Sequence, residues 1–214
     1  SKMDQYLPAL EQIAEERQWE IVTYLKSACP LVRVPVERDD KVNEDCAEYN
    51  EDRYEALLEN DSIDYVLTSQ RLSLALTDDE PKEERFEAMV EAQRDTWRLL
   101  EDDGKDVIVV LDNPYPQLDV MECVATHEDQ LSECAFPRKD GDTRGGAPAQ
   151  LAALEEAPEV ESADVRDFIC PGDTCPPVIG NTLVYRRGSH ITATYAETLA
   201  PHLDDELTEA MRVD

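Results

Sequence analysis

The run Val107-Ile108-Val109-Val110-Leu111 consists of five apolar residues, four of them β-branched, followed at once by Asp112-Asn113-Pro114. β-Branched residues favour extended backbone, and a strand without polar alternation is one buried on both faces, as in a parallel sheet between helical layers. Helix and strand signals alternate on either side of it. Upstream, Leu7, Leu10, Ile13 and Ala14 recur at helical spacing between Tyr6 and Trp19, and Ile21–Leu25 reads as a strand. A helix over Cys46–Leu58, with Tyr54, Leu57 and Leu58 facing the core, leads to a strand over Ile63–Ser69. A long acidic helix then runs over Lys82–Leu100, entered through Pro81 and left at Gly104. Downstream, Asn113–Gly146 is irregular and rich in Pro, Asp and Gly. It is followed by a short helix over Ala147–Glu156, a short strand over Ala163–Phe168, an extended piece at Leu183–Tyr185 and a closing helix over Thr192–Met211. This alternation predicts an α/β fold with a mostly parallel sheet, with residues 1–214 forming one domain.

Composition narrows the function. The 214 residues are 41% hydrophobic, enough for a sizeable core, and carry 50 acidic against 20 basic side chains, a net charge of -30. That charge repels phosphate backbones and anionic headgroups, which argues against nucleic acid and against charge-driven membrane binding. Arg outnumbers Lys, 14 to 6. Such a lysine-poor acidic surface suits a saline, halophilic setting, where salt screens its self-repulsion, and equally an ordinary acidic secreted protein. No apolar run is long enough to span a bilayer. The chain opens at Ser1 without a Met, as a mature or truncated piece does.

Six cysteines fall into three local pairs, Cys29 with Cys46, Cys123 with Cys134, and Cys170 with Cys175. Zinc asks for tight Cys-x-x-Cys pairs with further ligands, and only His127 lies near any of them. Disulfides closing short loops fit better and imply an oxidising compartment. Neighbour pairing is one of several connectivities open to six cysteines. Nothing calls for a metal or another cofactor.

Two blocks carry a resemblance to a known family. The C-terminal run from Cys170-Pro-Gly-Asp-Thr-Cys175 through Gly188-Ser189-His190 to Leu199-Ala200-Pro201 resembles the last block of the SGNH hydrolase-like domain attached to acyltransferase-3 membrane proteins, the bacterial surface-polysaccharide O-acetyltransferases. Ser1–Leu10, with Ala14–Arg17 and Lys26–Pro30, resembles the first block. Asp64–Ser69, Val107–Pro114 and the Cys123/Cys134 loop fall collinearly between them. The resemblance implies a three-layer, flavodoxin-like α/β/α sandwich and a Ser nucleophile directly after the first strand, in a Gly-Asp-Ser-His motif. It also implies an Asp and a His three residues apart near the C-terminus. Carried over, the nucleophile falls on Ser1 and the catalytic His on His190. Lys2 stands where the first-block His is expected, and Arg187 where the acid is expected.

A serine hydroxyl needs a base to take its proton, and a neutral imidazole suits that role. An acid behind the imidazole fixes its tautomer, which Arg187, a donor without acceptors, does not do. Asp167, Asp173 or a backbone carbonyl are the alternatives. The backbone N–H of Lys2, at the start of the first helix, is a candidate oxyanion donor, with a second from the turn after Ile63–Ser69. Without the resemblance, Ser1 is an N-terminal accident, His190 a capping or packing residue, and His127 and His202 surface histidines. Asn181 reads as a turn residue, and Asp78–Glu84 and Asp204–Glu209 as solvated faces, with calcium a lesser alternative.

The reading is an extracytoplasmic domain, periplasmic or at the cell surface, acting in O-acyl transfer or ester cleavage on a surface glycan or acyl ester. Its partner is a membrane acyltransferase portion of the same protein. The alternatives are a catalytically degenerate fold serving as a binding or assembly module, and a stand-alone secreted esterase. In the family the strand before the nucleophile lies inside the sheet, and residues 1–214 lack it. The expectation is therefore an incomplete sheet, completed by upstream residues or by another chain.

Overall fold

A computed structural model of the chain describes residues 2–38, 41–71, 75 and 81–211. Ser1, where the resemblance puts the nucleophile, lies outside them, as do residues 78–80 of the first acidic stretch. The central sheet has three parallel strands in the order β1 (Tyr65–Thr68), β2 (Asp106–Val110) and β3 (Glu161–Ala163). Val66 pairs with Val107 and Thr68 with Val109, while Val110 pairs with Ala163.

The decisive run behaves as its composition requires. Residues 107–111 are at most 2% exposed, and their side chains alternate between two cores. Ile108 and Val110 pack against α1 (Leu7–Arg17) and against α5 (Ala193–Thr198) and α6 (Ala200–Met211). Val107, Val109 and Leu111 pack against α2 (Glu44–Leu58), α3 (Lys82–Asp102) and α4 (Ala147–Glu156). A fully buried aliphatic side chain of this size contributes roughly 1.5–3 kcal/mol, which makes this strand the axis of the fold. The result is an α/β/α sandwich with helices on both faces of a parallel sheet.

Local chemistry sets the helix ends. Pro8 opens α1, where a missing N–H costs nothing, and Gln18 closes it at φ 59°. The Asn43 side chain accepts from the Cys46 N–H at 3.3 Å, with Glu44 and Asp45 in the first turn of α2. The expected closing helix is two helices, α5 and α6, parted at Leu199 two residues before Pro201, which has no N–H to continue the ladder. Within Asn113–Gly146, expected to be irregular, Val120–Thr126 and Arg138–Arg144 are helical. Ala163–Phe168 was expected to be a strand, but the strand is Glu161–Ala163 and a helical turn, Arg166–Ile169, follows it.

Ile21–Leu25 is not a strand. The segment has no ladder partner among the described residues, and Ile21 and Val22 are 39% and 51% exposed. β-Propensity does not form a strand without a neighbour to bond. Between this segment and the outer edge of β1 lies a cleft of about 490 Å³, running along Ser62–Ser69 and lined by Leu7, Leu10, Tyr24, Leu31 and Leu57.

Three disulfides join the neighbouring cysteines: Cys29–Cys46, Cys123–Cys134 and Cys170–Cys175. His127 sits beside the second, but both of its potential co-ligands are locked in that disulfide. Asn181, at φ 62°, follows Gly180 at φ 57° in the two-residue turn of a hairpin between Val178–Ile179 and Thr182–Leu183, as its turn reading requires. His202 is partly exposed, and its ring stacks on the exposed Phe168 at 3.7 Å. Asp204, in the second acidic stretch, pairs with Arg17 at 2.8 Å.

The net charge of -30 makes stability salt-dependent. Raising NaCl from about 0.1 to about 1 M shortens the Debye length from roughly 10 to 3 Å. The expected result is a higher melting temperature by calorimetry, because the folded state concentrates the repelling carboxylates. A melting temperature that falls or stays fixed contradicts that account.

Candidate active site

Residues expected to carry chemistry meet at the carboxyl ends of β1 and β2, where open parallel sheets place their sites. Three segments converge there. The chain enters through Lys2, which precedes a single 3-10 turn, Met3–Tyr6, rather than the α-helix expected at that point. β1 runs out into Ser69-Gln70-Arg71 and β2 into Leu111-Asp112-Asn113. The loop after Val184 brings in Ser189 and His190, pinned at its base by a bridge between Tyr185 and Ile191 and by the Arg186 N–H donating to the His190 carbonyl at 2.8 Å.

Lys2 fastens these segments together. Its side chain is almost wholly buried, and its Nζ lies 3.0 Å from Asp112 Oδ1. The same ammonium donates to Asn113 Oδ1 and to the Ser189 carbonyl, both at 2.9 Å, and to Ser189 Oγ at 3.2 Å. Asn113 donates in turn to the Ser189 carbonyl at 2.7 Å. Gln5 donates to Asn113 Oδ1 at 2.8 Å and accepts from the Ile191 N–H at 3.1 Å. Burial pushes the Lys2 ammonium below its ordinary range, and Asp112 opposes that shift. The other oxygen of Asp112 accepts from the Gly146 N–H at 2.7 Å. A side chain at Gly146 would fall on the Gln70 carbonyl, so glycine is what lets α4 close against this end of the sheet.

His190 is half-buried, and its Nδ1 has no hydrogen-bond partner among the described residues. Burial first, then the charges of Lys2 and Arg186, pushes its pKa down to about 4. The imidazole is therefore neutral at neutral pH. Neither residue weighed as its orienting acid hydrogen-bonds the ring Nδ1, and Asp167 pairs instead with Arg138 at 2.6 Å. Arg187 is exposed. In front of His190 a cavity of about 220 Å³ is bordered by Lys2, Ser69, Gln70, Arg71 and Ser189.

The depressed imidazole has two pH signatures. An imidazole acts as a base only as the neutral ring, so any reaction that used His190 in that role would slow as pH drops through about 4, and not near the ordinary 6.5. Between those values the unfolded chain binds the extra proton. The contribution of His190 to stability is therefore complete above about 6.5 and is lost as pH falls toward 4. An NMR titration of the ring proton gives the value directly, and a midpoint above 6 contradicts the burial seen here.

Sequence reasoning placed His190 and the turn after β1 at one site, and gave Lys2 a part through its backbone N–H. It missed the Lys2 side chain as the clamp, and with it Gln5, Asp112, Asn113, Ser189 and Arg71. Asp112-Asn113 carried a readable signal, since polar residues directly after a buried parallel strand stand at the mouth of such folds.

The fold and site define the class: an α/β/α domain with a parallel sheet flanked by helices and a histidine loop at the carboxyl end of that sheet. Residues 1–205 match the family model described as the SGNH domain fused to AT3 domains, and the chain belongs to that family. In structure it is similar to the periplasmic domain of the lipopolysaccharide acetyltransferase of Salmonella ser. Paratyphi A, with a TM-score of 0.61 at 13% sequence identity, over 97% of this chain and 78% of that one. No curated protein is significantly similar in sequence.

Proposed function

We propose that this chain is the extracytoplasmic SGNH domain of a membrane-bound O-acyltransferase, and that it passes an acyl group through Ser1 to a surface glycan. The observation that carries the reading is the fastening of the His190 loop onto Lys2, the residue next to Ser1, by a buried ammonium. In the proposed reaction His190 takes the Ser1 proton as Ser1 attacks the donor's acyl carbonyl. The tetrahedral intermediate collapses and expels the donor's leaving group, which takes that proton from the imidazolium. A glycan hydroxyl or water, deprotonated in turn by His190, then attacks the acyl-enzyme, and Ser1 leaves with the proton returned to it. The Lys2 backbone N–H and the Ser69–Arg71 turn stabilise the oxyanion. Three disulfides fit an oxidising, periplasmic location. The family description supports a membrane partner portion in the same protein, and among the described residues no helix is long and apolar enough to cross a membrane. The periplasmic lipopolysaccharide acetyltransferase of similar fold supports a glycan acceptor.

The cleft beside β1 takes, on this reading, a strand directly upstream of Ser1, running parallel to β1. Its carboxyl end would deliver Ser1 beside Lys2, at the end of the sheet where His190 sits. A second reading, a non-catalytic binding or assembly module, draws on the Nδ1 of His190, which has no partner among the described residues, and on Arg187 at the acid position. Labelling with a fluorophosphonate separates the two, since only a serine activated by a base reacts. A stand-alone esterase would show the same labelling and would hydrolyse acyl esters with no membrane portion present.

A further inference from the structure

The chain carries fifty acidic residues, yet the charged side chains that line the cavity in front of His190 are cationic. The residues bordering the cavity in front of His190 include Lys2 and Arg71, and no carboxylate is among the described ones. Arg186 stands close enough to lower the proton affinity of both Lys2 and His190. Two of the three cations have partners: Lys2 has Asp112 below the cavity floor at 3.0 Å, and Arg186 has Asp4 at 3.1 Å. Arg71 makes no ion pair among the described residues. Its guanidinium lies over the Tyr115 ring at 4.3 Å. Stacking fixes the guanidinium plane and leaves its N–H edge open, in the fork geometry that takes a carboxylate or phosphate through two parallel hydrogen bonds. A volume of about 220 Å³ is smaller than the pockets that enclose drug-sized ligands and suits a single charged sugar unit. At long range the net charge repels anions, so a local reversal of sign at the mouth of the site selects for a charged group there.

We propose that the cavity beside His190 is an anion subsite, in which Arg71, held on Tyr115, receives a carboxylate or phosphate carried by the glycan. The proposal rests on the acyl-transfer reading for its choice of a glycan, and it narrows the acceptor to an anionic one. A neutral sugar offers Arg71 no charge to pair with. An anionic one cancels part of the positive field on the imidazole and makes His190 a stronger base once substrate is bound.

The test is binding followed by NMR at the His190 ring proton, using methyl glucuronide, glucose 6-phosphate and neutral methyl glucoside. The expected result is that at least one anion binds about ten-fold tighter than the neutral glycoside, the effect of roughly 1.4 kcal/mol from one charge-assisted contact. It should also raise the His190 pKa above its value in the free protein. Whichever anion binds tighter identifies carboxylate or phosphate as the source. The variant R71Q should lose most of the preference, while R98Q, on the far side of α3 where Arg98 pairs with Glu159, keeps it. Equal binding of charged and neutral glycosides, an unmoved His190 titration, or a preference that survives R71Q overturns the proposal. Fluorophosphonate labelling of the same proteins reads the catalytic proposal separately: anion preference without labelling leaves the subsite standing and removes the enzyme.

Discussion

Lys2→Met is expected to cost about 3–5 kcal/mol in urea denaturation, the penalty for removing one partner of a buried ion pair. The methionine fills similar volume, so the loss is electrostatic and not a cavity. Asp112 would keep the Gly146 N–H but lose its cation, and Asn113 and Ser189 would lose the ammonium that joins them. The double variant Lys2→Met, Asp112→Asn should recover at least half of the loss, because a buried pair replaced as a unit costs far less than a pair broken. A loss below about 1 kcal/mol in the single variant, or no recovery in the double, means that the pair is not the clamp described here.

Arg187→Asp is expected to raise the rate of serine labelling by ten-fold or more. Loss of the orienting acid in a comparable triad costs about four orders of magnitude, and restoring it at the family position returns part of that. The His190 ring has two deficits that a carboxylate would address. Its Nδ1 has no partner among the described residues, and burial, followed by the cations around it, pushes its pKa down to about 4. A carboxylate accepting from Nδ1–H would fix the tautomer, raise the pKa and stabilise the imidazolium as Ser1 attacks. The His190 titration in the variant checks the mechanism independently of the rate. A faster reaction with an unchanged titration would point to some other cause.

The sheet axis was legible because residues 107–111 carry their environment in their composition: a strand with no polar face has no solvent face. Ile21–Leu25 has the same propensity and is not a strand, because a strand is a relation between two segments and its neighbour is not among the described residues. The helices Val120–Thr126 and Arg138–Arg144 escaped notice because each is only seven residues long, and the second carries no apolar side chain at all. At the site, His190 could be read from its block, and the turn after β1 from its position at a strand end. Lys2 was read for its backbone because a lysine beside a nucleophile looks like a surface residue. Its burial depends on Asp112, Asn113 and Ser189, which lie more than a hundred positions away. The stacking of Arg71 on Tyr115 is long-range in the same way, and no local pattern announces it.

The central claim is that Ser1 is a nucleophile activated by His190. Intact-mass analysis after treatment with a fluorophosphonate tests it most directly, on this chain and on a form carrying residues upstream of Ser1. The account predicts a single adduct on Ser1 that disappears in His190→Ala. A folded, extended protein that takes no adduct, or one whose adduct survives the loss of His190, contradicts it.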